Sequence, residues 1–118
     1  MKSIIEKNEK ISYSFSPIES DILNYLWKKG EGRSRTIHIM FGDKHDVTHS
    51  TVAVILSRLY ERKILSRRPE KAKGGTRFVY FPNLTREELG SKLAFKFIDF
   101  LRKNFGEKTV ANLKKKIK

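Results

Sequence analysis

Four stretches of this chain repeat apolar residues at the spacing of one helix face, and one stretch breaks that period into short alternating runs. Ile18, Ile22, Tyr25 and Leu26 form the first stripe, with Trp27 beside it. Ser16 is placed to cap this helix, Pro17 takes the first turn where its missing amide costs nothing, and Glu19 completes a capping box. Gly30 ends it, and Lys28 and Lys29 suit the negative helix terminus. A second, shorter helix is predicted after Ser34 as its cap, with Ile37, Met40 and Phe41 pointing inward and Gly42 and Asp43 closing it. Upstream, Ile11, Tyr13 and Phe15 alternate with Ser12 and Ser14, which fits either a short extended segment or a loose tail tethered by a few apolar residues.

The third helix organises the rest. Thr48 is a good N-cap, and Val52, Ile55, Leu56 and Leu59 recur at i, i+3, i+4 and i+7 behind it. The opposite face carries His49, Ser50, Thr51, Ala53 and Ser57 and ends in Arg58 and Arg62. A small, hydrogen-bonding helix front suits base edges in a major groove. It equally suits an ordinary amphipathic helix with short residues toward solvent, so the flanking segments decide. A short helix, a tight turn and a longer helix with a small polar front are the layout of a helix-turn-helix.

After Lys63 the period changes. Leu65 to Pro69 and Thr76 to Phe81 read as strands, joined by a flexible basic turn, EKAKGG. A hairpin directly after such a helix is a wing. From Arg58 to Arg77 the bases are Arg58, Arg62, Lys63, Arg67, Arg68, Lys71, Lys73 and Arg77, opposed only by Glu61 and Glu70. The predicted phosphate contacts are Arg58, Arg68, Lys71, Lys73 and Arg77, with Ser34 and Arg35 reaching backbone from the start of the second helix. Arg58 has a second use open to it, bracing the wing through an internal ion pair.

Pro82 stops the second strand, and Thr85 to Glu88 reads as another capping box opening a long helix. Lys92, Lys96, Asp99 and Lys103 make one solvated stripe. Leu89, Leu93, Ala94, Phe97, Ile98, Phe100 and Leu101 cover the opposite half. That arc either closes the chain's own core or leaves surplus surface for a second copy. Leu89, Leu93, Phe97, Phe100 and Leu101 are the predicted dimerisation residues. Gly106 ends the helix, ahead of a short basic tail able to form one more.

Charge sharpens this picture. The chain has 26 Lys and Arg against 13 Asp and Glu, a formal charge of +13, which favours a polyanionic partner and nucleic acid first. With no cysteine among 118 residues there is no disulfide framework and no thiolate metal site. His38, His45 and His49 lack a second ligand set at metal spacing, and scattered carboxylates offer no catalytic pair, so neither a cofactor, a metal nor an enzyme is expected. No stretch approaches the roughly 20 apolar residues of a membrane span, and no signal peptide is legible, so a cytoplasmic protein is expected.

The segments SPIESDILNYLWKKGEG, VTHSTVAVILSRLYERKIL and TRFVYFPNLTREEL, and more weakly FIDFLRKNFGEKTVANL, are similar to the BlaI/MecI penicillinase-repressor family of winged helix-turn-helix regulators. The resemblance implies a homodimer on a palindromic operator, repressing by promoter occlusion. Thr48 to Thr51 match the start of the family's recognition helix. Ala53 stands where the best-known members carry an arginine, which implies a different operator or weaker base readout. Penicillin-responsive members are cleaved after an asparagine followed by phenylalanine. Here Asn112 is followed by Leu113, and the chain ends five residues later, so that induction is not carried over. The copper-responsive branch uses C-terminal cysteines, which this chain lacks.

The expected fold is therefore mainly α with a small β-hairpin wing: an N-terminal extension over 1–15, a winged helix-turn-helix DNA-binding domain over 16–84, and a C-terminal helical dimerisation segment over 85–118. The expected partners are a double-stranded DNA operator and a second copy, with no membrane. The alternative is a winged-helix module for non-specific, chromatin-like DNA binding or for RNA.

Overall fold

A computed structural model describes residues 15–117. In chain order these form α1 (Pro17–Lys29), β1 (Gly32–Arg33), α2 (Ser34–His45), α3 (His49–Glu61), β2 (Leu65–Ala72), β3 (Gly75–Pro82), α4 (Arg86–Phe105) and α5 (Glu107–Ile117). Phe15–Glu87 make one compact unit, and the residues from Glu88 onward belong to a second. The alternation expected at Ile11 and Tyr13 lies outside the described residues.

In the first unit, α1 starts as its sequence predicts. The Ser16 amide donates to Glu19 Oε1 at 2.9 Å and the Glu19 amide to Ser16 Oγ at 3.3 Å, so two orphan donors are satisfied reciprocally. Gly30, at φ 94°, caps the other end through its amide to the Leu26 carbonyl. The buried stripe is Ile18, Ile22, Leu23 and Leu26. Leu23 therefore replaces Tyr25, which is half-buried and packs edge-on to Phe41 at 6.0 Å between ring centroids.

Helix α2 differs from expectation in three ways. Its N-cap is Arg33, without a side-chain cap bond, and Ser34 is already helical. Met40 is 47% exposed, since Ile37 at one turn's remove takes the buried position and Phe41 the half-buried one. The helix also runs past Gly42 to His45. Gly42 is small for another reason: a Cβ there would stand 2.4 Å from His38 Cδ2. His38 fills that space and donates from Nε2 to the Val47 carbonyl at 3.2 Å, pinning the turn into α3.

Both α2 and α3 end in a Schellman closure. Val47 N–H reaches Gly42 O and Asp46 N–H reaches Asp43 O; Ile64 N–H reaches Leu59 O and Lys63 N–H reaches Tyr60 O. The left-handed positions are Asp46 at φ 52° and Lys63 at φ 63°, not glycines. Each closure turns the chain sharply, which is what places α3 across α2 and launches the hairpin directly from α3.

Strands β2 and β3 pair antiparallel from Leu65↔Pro82 to Ala72↔Gly75, leaving Lys73 and Gly74 as the tip. The strands are longer and the turn tighter than the EKAKGG loop implied. Pro69 is tolerated because β2 is an edge strand in the order β1-β3-β2. The two-residue β1, which the sequence pattern did not reveal, adds Gly32↔Tyr80 and Arg33↔Val79 to the other side of β3. Ile22, Leu26, Ile37, Val52, Leu56, Leu59, Leu65 and Val79 are almost fully buried and form the core of this unit. Trp27 donates its indole N–H to the Leu84 carbonyl at 2.9 Å, and Arg86 lies over its ring.

In the second unit, α4 passes through Gly106 (φ 91°) into α5, which does form. Leu89, Phe100 and Val110 are buried here within the single chain. Leu89 and Phe100, expected at a dimer contact, are thus already covered. Leu93 and Leu101 are half-buried, Phe97 is 40% exposed, and Phe95, which the expected arc did not include, is 70% exposed.

Candidate nucleic-acid interface

Helix α3 is presented by two locks. Thr48 Oγ1 accepts from the Thr51 amide at 3.2 Å, fixing the first turn. Beside it, His49 Nε2 shares a 3.1 Å hydrogen bond with Ser34 Oγ, and the His38 ring lies 5.8 Å from that of His49. Ser34 is thus a strut between α2 and α3 rather than a helix cap. Thr48, His49, Ser50 and Thr51 are exposed, while Ala53 and Ser57 are half-buried along the same helix. Arg35 and Arg58 are exposed, and Arg58 forms no ion pair with another described residue, so the bracing role open to it is not taken up among them.

The second lock joins α1 to α2. Asp21 Oδ2 lies 2.9 Å from Lys44 Nζ and 2.7 Å from His45 Nε2. The hydrogen bond from Lys44, then that from His45, holds the Asp21 carboxyl below its ordinary range. A carboxyl whose folded value is lowered stabilises the fold above its unfolded value and loses that contribution as pH falls through the folded one. Asp21→Asn is therefore expected to unfold at lower urea than the natural chain at neutral pH, with the gap closing in acid. Urea midpoints followed across pH check this; a gap that stays constant down to strongly acid pH would contradict it.

The wing carries its charge unevenly. Residues paired across the hairpin share a face. On one face Glu70 is opposite Arg77, and Arg33 from β1 reaches the same carboxylate. Arg33 Nε and Nη2 donate to Glu70 at 2.9 and 2.8 Å, and Arg77 Nη2 lies at 3.6 Å. These bonds lower the Glu70 carboxyl, chiefly through Arg33, and raise the Arg33 guanidinium. Arg68, also on this face, donates to both Glu31 oxygens at 2.9 and 3.1 Å. Arg68 and Arg77, expected at phosphates, are thus engaged with carboxylates, though both remain about half exposed. Lys71 and Lys73 are exposed at the tip.

On the other face, Arg67 lies over the rings of both Tyr60 and Phe78 at 4.0 Å and donates to the Tyr80 hydroxyl at 3.4 Å. Neither this clasp nor the Arg33–Glu70 and Glu31–Arg68 pairs entered the sequence reading. The partners in each ion pair are 37 residues apart, and only strand register could have signalled the Arg67–Tyr80 contact.

Among the described residues no three His, Cys, Asp or Glu side chains group to hold a metal ion, and no helix is long and apolar enough to cross a membrane. His45 and His49 are committed to different partners, Asp21 and Ser34.

Three helices, a tight turn between the second and third, and a hairpin launched from the third define a winged helix-turn-helix. The chain belongs to the penicillinase repressor family, whose model matches residues 15–118, and is a DNA-binding transcriptional regulator. Two solved structures agree on the fold. A "possible transcriptional regulator" from Methanosarcina mazei aligns with a TM-score of 0.60 at 15% identity, over 83% of this chain and 82% of that one. The YusO protein from Bacillus subtilis aligns at 0.50 and 16% identity, over 93% and 79%. A transcriptional regulator from Thermotoga maritima is 27% identical over 83% of this chain and 62% of its own, with a TM-score of 0.48. A comparison with curated proteins gives no significant match.

Proposed function

We propose that this regulator is a homodimeric repressor that occludes a promoter by sitting on a palindromic operator. The observation that carries the reading is the front of α3. Its first turn is exposed, built of short hydrogen-bonding residues, and fixed by Thr48 and Ser34. In this reading His49, Ser50, Thr51, Ala53 and Ser57 face the major groove, while Arg58, Lys71 and Lys73 hold phosphates. Arg68 and Arg77 join them by exchanging Glu31 and Glu70 for phosphate, and Ser34 and Arg35 meet the backbone at the start of α2. Residues 16–84 read DNA, and residues 85–118 bring two copies together.

Base and phosphate contacts have different signatures. Lys73→Ala is expected to weaken binding on every sequence and to make the salt slope shallower by about 1. Ser50→Ala is expected to change preference at one or two base pairs, worth on the order of 1–3 kcal/mol, with the slope intact. Binding titrations on operator and random duplexes at several salt concentrations separate the two. Equal losses from Ser50→Ala on both duplexes would remove Ser50 from base readout.

A further inference from the structure

We propose that Arg67, clasped between Tyr60 and Phe78, is the wing's principal DNA-backbone contact, a phosphate-binding guanidinium held ready on the face of the hairpin that carries no carboxylate. The inference rests on the DNA-reading assignment of α3 and names the part of the wing that works with it.

Ion pairing separates Arg67 from the wing's other arginines. Arg68 is paired with Glu31, Arg77 and Arg33 with Glu70, and Arg62 lies 3.9 Å from Glu19. Arg67 makes no ion pair with any described residue. Strand alternation explains the split. Arg67, Pro69 and Lys71 share a face with Thr76, Phe78 and Tyr80, and none of these is acidic. The acidic partners Glu70 and Glu31 serve the opposite face. The Arg67 and Lys71 side therefore carries two positive charges with no carboxylate, whereas Arg33, Arg68 and Arg77 on the other are opposed by Glu31 and Glu70.

Position supports the same choice. Ala53, Ser57 and Tyr60 recur at i, i+4 and i+7, so the ring under Arg67 continues one edge of the α3 front. Arg58 is two residues from Tyr60, about 200° around the helix, on the other edge. A helix lying in a major groove has a phosphate strand along each side. Arg58 and the Tyr60–Arg67 pair would meet one strand each.

The clasp also suits the chemistry. A guanidinium stacked on aromatic faces keeps its edge donors free for a phosphate, and among the described residues only one of its five N–H groups is committed, to Tyr80. The rings hold Arg67 without neutralising it, whereas Arg68 and Arg77 must first release a carboxylate. Tyr60 and Phe78 are 38% and 36% exposed, so the clasp is open to a partner on one side. In this account Tyr60 and Phe78 are positioning residues, and Arg67 alone touches the phosphate.

The test is titration of the full chain with a random-sequence DNA duplex, and with the operator once selected, between about 50 and 200 mM salt. Arg67→Gln is expected to lower affinity on both duplexes by about tenfold or more and to make the salt slope shallower by about 0.9. Tyr60→Leu, which keeps the charge but removes one ring, is expected to bind both more weakly with the natural slope. Circular dichroism reports whether each variant is folded. Should Arg67→Gln fail to fold, Arg67→Lys decides: the natural slope with weaker binding on both duplexes supports the inference, and natural affinity overturns it. A folded Arg67→Gln with the natural slope and affinity, or one whose loss is confined to single operator base pairs, would overturn the inference while leaving α3 as the reader. A natural chain that binds no duplex would overturn the DNA-reading assignment itself, and the inference with it.

Discussion

Phe97→Asp is expected to turn the protein into monomers and to weaken operator binding by about 10²–10⁴-fold. The magnitude follows from linkage. When two reading heads are joined, the second half-site is met at high effective concentration, and that gain disappears when the heads separate. Leu93, Phe97, Leu101 and Phe105 recur every four residues along α4, a stripe next to the buried Leu89 and Phe100. Phe97 stacks on Phe100 at 6.4 Å and 17°, yet leaves a large part of its ring in water. A charge there would be desolvated in a helix pair, whereas in an isolated chain it stays in water at the cost of the Phe100 stacking and some helix propensity. Ser91→Asp adds the same charge at an exposed position of the same helix off that stripe, and is the control. Sedimentation should give monomers for Phe97→Asp and dimers for Ser91→Asp. A Phe97→Asp variant that stays dimeric would move the contact elsewhere, with the exposed Phe95 the next side to test.

The second large effect concerns the scaffold behind α3. Leu56 is fully buried between Val52 and Leu59 on the inner face of that helix. Leu56→Ala removes its apolar contacts and leaves a cavity that the neighbouring core closes only in part, at a cost of about 2–5 kcal/mol. Against a typical stability of about 5–15 kcal/mol this is a large fraction. Urea unfolding is expected to show the midpoint falling with the slope unchanged. At low temperature the folded fraction should still bind DNA with natural specificity, because no reading residue has been altered. A cost under about 1 kcal/mol would mean that the site collapses fully or that α3 is held by other means.

Much of this arrangement was legible in the sequence because it is local. Ser16, Pro17 and Glu19 announce α1, Thr48 announces α3, and the apolar spacing of Val52, Leu56 and Leu59 sets which side of α3 is buried. The misreadings have two causes: local geometry that residue type alone does not announce, and contacts between distant segments. Gly42 resembled a helix stop, but its lack of a Cβ makes room for His38. The true stop at Asp46 is a left-handed residue without the usual glycine, held by the paired amide bonds to Gly42 and Asp43. A two-residue strand such as β1 has no period to detect. Above all, a count of bases on the hairpin could not say which were already neutralised. Glu31 and Glu70 select Arg68, Arg33 and Arg77 through the fold, and leave Arg67 to the aromatic rings.

The operator-bound homodimer is tested most directly by selecting genome fragments on the protein and footprinting them at two salt concentrations. A protected palindrome, with half-sites about one helical turn apart or a multiple of it, is the expected result. It should persist at the higher salt, with weaker but still localised protection. Uniform protection without a palindrome, lost as salt rises, would contradict the account and leave a basic protein that holds DNA without reading it.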